Sequence, residues 1–166
     1  MRRTFSKNQK SEFKEKVLEV RRVTRVMAGG KRFSFRATVV LGDQKGRVGL
    51  GIAKGLDFSS SVDKARRQAE KNIVMISLIE GRTVPYETEA KYGAAHVRIK
   101  SAKKGHGLIA GGSCRTVLEL VGVRDVSAKI LGRTKNKIAN ALATIEALKQ
   151  MDLTPRSQAV EKSENI

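Results

Sequence analysis

Between Arg32 and Ala53 apolar and polar residues alternate with a period of two, interrupted once by a short turn, which specifies a pair of β-strands. Phe33, Phe35, Ala37, Val39 and Leu41 occupy one register and Arg32, Ser34, Arg36 and Thr38 the other, so one face should be core and the other wet. After Gly42-Asp43-Gln44-Lys45-Gly46 the alternation resumes, with Val48, Leu50 and Ile52 inward and Gly49, Gly51 and Ala53 outward. That outward face has almost no side chains. Bare backbone weakens a strand, so something should approach it closely, either a packed element of the protein or a ligand.

Upstream, Met27-Ala28-Gly29-Gly30-Lys31-Arg32 joins the Phe-rich strand to an earlier one, and Gly29-Gly30 permits the positive φ of a tight hairpin. In that earlier strand Leu18, Val20, Thr24 and Val26 share a register that Arg22 interrupts, and a bulge at Arg21-Arg22 would restore it. Arg21, Arg22, Arg25, Lys31 and Arg32 then gather at the loop without an acid among them. Cations at that density repel one another unless a polyanion neutralises them, which favours RNA or DNA over plain solvated surface. The whole chain agrees: 34 Lys and Arg stand against 16 Asp and Glu, for a net charge of +18. With no Trp, two Tyr and five Phe, few rings are available to stack on single-stranded bases, so recognition should run through phosphates and duplex shape. Arg36, Lys45, Arg47 and Lys54 on the strands and their turn extend the candidate RNA-binding set.

Beyond the third strand, Ser60 and Asp63 are spaced like a capping box. At helical spacing Val62, Ala65, Ala69, Ile73 and Ile76 share one face, with the small Ala65 and Ala69 allowing close approach to the sheet. Lys64, Arg67 and Lys71 share the opposite face, as a solvated stripe or a phosphate contact. Gly81-Arg82-Thr83-Val84-Pro85 breaks the pattern. The expected organisation is a flexible basic arm at 1–15, a first unit at 16–80, a linker at 81–86, a second unit at 87–151 and a loose tail at 152–166. In the second unit Tyr86 to Tyr92 and His96 to Lys100 read as strands. Lys100, Lys103, Lys104 and His106 belong to or flank a basic Gly-rich loop. Gly111-Gly112-Ser113 opens a helix that carries Cys114, Val117, Leu118 and Val121 on one face and stops at Gly122. Val126 to Leu131 is another short strand. Basic Arg133, Lys135 and Lys137 precede or open a last helix, about Asn136 to Met151, whose stripe is Ile138, Ala141, Leu142, Ile145 and Leu148.

Catalytic chemistry finds little here. One Cys and two His, His96 and His106, make neither a disulfide nor the usual zinc site, and Cys114 reads as core. Gly105 to Ala110 formally matches a dinucleotide fingerprint, but a single short unit cannot build a doubly wound sheet. A backbone nest for an RNA phosphate there, or plain turn chemistry, needs fewer parts. The competing classes are a nucleotide-binding enzyme using Gly105 to Ser113 and a free-standing double-stranded-RNA-binding regulator. No cofactor, metal or small-molecule substrate is expected. The apolar run from Ile73 to Ile79 is too short to span a bilayer and the basic N-terminus lacks a secretory h-region, so a soluble intracellular protein with no membrane partner is expected.

The runs GGKRFSFRATVVLGDQKGRVGLGIAK, SSSVDKARRQAEKN and GLIAGGSCRTVLELVGVRDVSAKILG closely resemble the bacterial-type ribosomal protein S5 family of the small subunit, over about Glu15 to Met151. The resemblance implies an α+β fold: a double-stranded-RNA-binding-like domain with a three-stranded antiparallel sheet and a helix, then a small α/β domain with a left-handed βαβ crossover. It also implies a non-enzymatic constituent of the small subunit that binds ribosomal RNA and supports assembly. Ribosomal proteins S4 and S8 would be neighbours, with messenger RNA close by at its entrance. The loop Met27 to Arg32 would influence decoding accuracy and spectinomycin sensitivity. A cytoplasmic ribosome is expected ahead of an organellar one. The chain departs from the family at Gly51 to Gly55, where Gly-Ile-Ala-Lys-Gly replaces Gly-Ile-Gly-Lys, and at Ser113-Cys114, where Pro-Val is common. It departs again at Gly132 to Asn140, which carries one extra residue and more positive charge.

Overall fold

A computed structural model describes residues 13–153. Strands β1 (Lys14–Met27), β2 (Gly30–Gly42) and β3 (Arg47–Gly55) form an antiparallel meander. After helix α1 (Phe58–Lys71), a short β4 (Ile73–Met75) pairs antiparallel with β3. This sheet therefore has four strands, not three. In sequence the helical period runs on through Ile73 and Ile76, but Asn72 ends the helix: its N–H reaches the Ala69 carbonyl, and its Nδ2 donates to the Leu50 carbonyl at 3.3 Å. The β-branched Ile73 and Val74 that follow suit a strand better than a further helical turn. At the other end Asp57 holds the N-cap position of α1, so Ser60 and Asp63 do not form the expected capping box.

The bulge in β1 falls between Val17 and Glu19, not at Arg21-Arg22. Leu18 thereby packs with the larger core cluster while Val20 packs under α1. Arg21 and Arg22 need no correction because the sheet is open on both sides there. β1 also begins at Lys14, inside the stretch read as an arm; residues 1–12 and 154–166 lie outside the described residues.

Ala37, Val39 and Leu41 pack against Ala65 and Ala69, as the alternation predicts. The opposite register is not wet. Thr38 and Val40 are just as buried, because the second unit covers that face, and each buried Val or Leu there contributes roughly 1.5–3 kcal/mol. Val48 and Leu50 lie in the same cluster, whereas Ile52 is exposed. The bare face of β3 is filled by α1. A Cβ on Gly51 would lie 2.0 Å from the Ala65 carbonyl oxygen and one on Gly49 2.3 Å from that of Ala69, so a packed helix, not a ligand, requires the glycines.

The second unit contains β5 (Thr88–Tyr92), β6 (Ala95–Ser101), β7 (Leu108–Ile109), α2 (Gly112–Val121), β8 (Val126–Ile130) and α3 (Lys137–Leu153). Its sheet runs β5-β6-β8-β7, with β7 and β8 parallel and joined through α2, a βαβ crossover inside an otherwise antiparallel sheet. Cys114, Val117, Leu118 and Val121 are fully buried on α2, and Gly122 ends it in the left-handed conformation at φ 96°. Burial pushes the Cys114 thiol above its ordinary pKa, as suits a core residue. α3 packs on α2, β5 and β6; it buries Ala141, Ile145 and Leu148 of the stripe read from its period together with Ala143, Thr144 and Ala147, while Ile138 and Leu142 are half-buried.

The two units share a core. Val40, Val48, Leu50 and Ile76 join Val84, Val117, Leu120 and Val121 in one cluster. At the seam the β2–β3 turn reaches the end of α2, where the Gln44 and Gly46 N–H groups donate to the carbonyls of Leu120 (3.0 Å) and Val121 (2.9 Å).

Candidate nucleic-acid interface

The outer half of the β1–β2 hairpin carries the main concentration of cations. Its register sets Arg21 opposite Arg36 and Arg25 opposite Arg32, so four arginines share one face, and Lys54 on β3 lies beside Arg36. Like charges directly opposite destabilise a ladder. Arg21 is neutralised by Glu19 at 2.9 Å. Among the described residues no acid is paired with Arg25, Arg32 or Arg36. On the reverse face the Arg22 guanidinium stacks over the Phe33 ring at 3.8 Å, and Lys31 stands opposite Val26. The tip is a two-residue turn, Ala28-Gly29, followed by Gly30 at φ +132°. Only Gly30 takes the positive φ expected of the pair.

Lys64, Arg67 and Lys71 lie exposed along α1, away from the sheet. Arg66, absent from the expected set, bridges Glu70 and Glu15. Lys45 is exposed in the β2–β3 turn, but Arg47 is half-buried and bound to the Asp43 carboxylate. Burial alone would raise the Asp43 carboxyl; Arg47 and the N–H groups of Lys45 and Arg47 hold it below the usual carboxylate range. Arg47 therefore serves the turn.

In the second unit Lys103, Lys104 and His106 are exposed on the β6–β7 loop. The nest within that loop is filled by the chain itself. Gly105 and Gly107, at φ +90° and +80°, donate their N–H groups to Asp125 Oδ1 at 3.1 and 3.0 Å, while Arg82 holds Oδ2 at 3.0 Å. The Gly107 N–H foremost, and then Arg82, keep the Asp125 carboxyl below its ordinary range. Sequence reasoning missed Asp125, because only the fold brings it to the glycines. Lys100 pairs with Glu87 at 3.0 Å, His96 with Glu89 at 2.9 Å, and Arg98 with both acids, so these three side chains are partnered, while Lys91 and Lys129 on the same face are exposed. Arg133 and Lys135 are exposed in the β8–α3 turn, and Lys137 at the start of α3; Asn136 caps that helix by accepting the Ile138 N–H at 3.1 Å.

The frame is a basic two-sheet α+β one that directs cations outward and spends its glycines on packing and turns. The pattern described as Ribosomal protein S5, N-terminal domain, matches residues 13–77, and that described as Ribosomal protein S5, C-terminal domain, matches residues 90–161. A small ribosomal subunit protein uS5 from Sulfurihydrogenibium sp. (strain YO3AOP1) is 50% identical over 134 residues, covering 81% of this chain and 69% of the relative. The uS5 of Ehrlichia canis (strain Jake) is 44% identical over 156 residues, 94% of this chain and 88% of the relative. The uS5c of Spinacia oleracea is 48% identical over 139 residues, 84% of this chain and 45% of the relative. The chain belongs to the ribosomal protein S5 family of the small ribosomal subunit. Its role is structural and its place is the ribosome; among the described residues no helix is long and apolar enough to cross a membrane.

Proposed function

We propose that the chain binds small-subunit ribosomal RNA, chiefly through the arginine face of the β1–β2 ribbon, and so supports subunit assembly and decoding accuracy near the messenger entrance. The observation that carries this reading is the pairing of arginine with arginine across the ribbon, with Arg25, Arg32 and Arg36 unmatched by any described acid. Phosphates supply what the ladder lacks. Lys31 and Arg22 at the ribbon, Lys64, Arg67 and Lys71 on α1, Lys103, Lys104 and His106 on the β6–β7 loop, and Arg133, Lys135 and Lys137 before or at the start of α3 add backbone contacts that position the protein without reading sequence. The two-unit body, its boundary in the 81–86 stretch, would lie against ribosomal proteins S4 and S8.

Filter-binding titration against small-subunit RNA over a range of salt tests the reading. Neutralising about 6–10 phosphates gives a log-affinity against log-salt slope on the order of −5 to −9. A flat response would overturn backbone contact. Cosedimentation with ribosomal particles after a high-salt wash is the companion measurement, and RNA binding without it would favour a free-standing regulator.

A further inference from the structure

The two faces of the outer β1–β2 ribbon differ in kind. On the face turned away from the four arginines, the register sets Arg22 opposite Phe35, Thr24 opposite Phe33 and Val26 opposite Lys31. Phe33 and Val26 are exposed and Phe35 is half-buried, so this face leaves rings and methyl groups in water at a cost that a cover would remove. The Arg22 guanidinium lies over the Phe33 ring, 3.8 Å from its centroid. Arg22 and Lys31 are both exposed, and neither is paired with an acid among the described residues. A guanidinium laid on a ring is used on one side only. Its outer plane is weakly hydrated and can stack again, while its N–H groups point outward around the edge. A cover for this face must therefore be flat and apolar on its broad side and negatively charged at its margin. Apolar side chains of a protein lack the charge and carboxylates lack the plane. An unpaired nucleotide carries both, a base with a π face and its own phosphate.

We propose that one unpaired base of the ribosomal RNA stacks on the outer plane of the Arg22 guanidinium, as the third layer above Phe33 and Arg22, with a phosphate of that nucleotide taken by Lys31. The inference rests on the RNA-binding reading above and goes beyond it. The arginine face meets the phosphates of any RNA, whereas this face selects a nucleotide that is free to leave its helix. Phe33 acts here through Arg22: it holds the guanidinium flat and in place, so the base finds its platform already ordered.

Filter binding of the full chain to small-subunit RNA and, separately, to a fully paired RNA duplex tests it, with Arg22→Lys and Phe33→Leu set against Arg25→Lys. Lysine keeps the charge and loses the plane. Arg22→Lys should weaken binding to small-subunit RNA roughly tenfold, the worth of one stacked base, with the salt slope unchanged. Phe33→Leu should do the same, and the two together no more than either alone, because both act through one stack. Arg25→Lys should stay within about twofold of wild type, since lysine still serves a phosphate as a point charge. On the duplex, which offers no unpaired base, wild type and all variants should bind alike. Arg22 is exposed, so Arg22→Lys keeps the fold and decides the matter should Phe33→Leu loosen the ribbon. Arg22→Lys binding small-subunit RNA as tightly as wild type, or losing as much on the duplex, would overturn the stack and leave RNA binding standing. Unchanged RNA affinity with lost cosedimentation would also overturn it, and give this face to a protein partner. Failure of the wild type to bind either RNA would overturn both readings.

Discussion

The inner and outer halves of the β1–β2 hairpin share strands, hydrogen-bond ladder and alternation, yet they live in different surroundings. From Ala37 to Leu41 β2 is covered by α1 on one face and by the second unit on the other, and every residue is buried. From Arg21 to Arg36 neither face is covered, Phe33 is 44% and Val26 73% exposed, and arginine faces arginine. Alternation reports a strand; it does not report how many neighbours the strand will have. The inner half is stabilised by burial within the chain. The outer half buries little apolar surface to set against its ordering, so its natural stabiliser is an external polyanion.

The largest break in this contrast should come from Gly51→Val. The side chain would be driven into the Ala65 carbonyl, and α1 must lift off the inner half at a cost of about 3 kcal/mol or more, read as a lower midpoint in chemical denaturation. Next, Arg25, Arg32 and Arg36 replaced together by Gln should weaken RNA binding roughly a hundredfold and flatten the salt slope by about 2–3 units. Thermal stability should stay level or rise slightly as like-charge repulsion is relieved; a large loss of stability would mean that the arginines hold the ribbon itself.

A third test compares the ribbon tip, which no side chain among the described residues is seen to hold, with the β6–β7 loop, which Asp125 holds. The folded pKa of Asp125 is depressed, so its contribution is present above its unfolded value near about 4 and is lost as pH falls through the folded value. Wild type should therefore be more stable than Asp125→Asn at neutral pH, and the gap should close under acid in thermal unfolding. A gap independent of pH would remove the carboxylate from the explanation. Smaller still, Glu87→Gln with Glu89→Gln should release His96, Arg98 and Lys100 and raise non-specific RNA affinity by a few fold, with a steeper salt slope. The smallest effect belongs to the tip. Gly29→Ala meets open space and should be nearly silent, whereas Gly30→Ala, at φ +132°, should cost on the order of 1 kcal/mol and alter misreading more than general RNA affinity.

Much of this arrangement was legible in the chain. The three long strands, the glycine turn at Gly122, the buried Cys114 and the cation cluster at the hairpin all follow from local period and residue type. The readings that failed depend on distant partners. Thr38 looks wet until the second unit arrives, and Gly49 and Gly51 leave helix and ligand equally open until α1 is placed. The β1 bulge sits at Leu18 because that residue has a core to reach. The Gly105-Gly107 nest looks vacant in one dimension, since the carboxylate that fills it lies at Asp125, beyond the whole of α2.

The β2–β3 turn has a consequence for how sequence length can vary. A short surface connection usually tolerates insertion. Here Gln44 and Gly46 are hydrogen-bonded to the last carbonyls of α2, and a Cβ on Gly122 would lie 2.2 Å from the Gln44 carbonyl oxygen. The turn acts as a peg cut to the depth of its socket. One added or deleted residue between Gly42 and Arg47 would misfit both units together, so length polymorphism in related chains should spare this turn and gather in segments that touch only one of them.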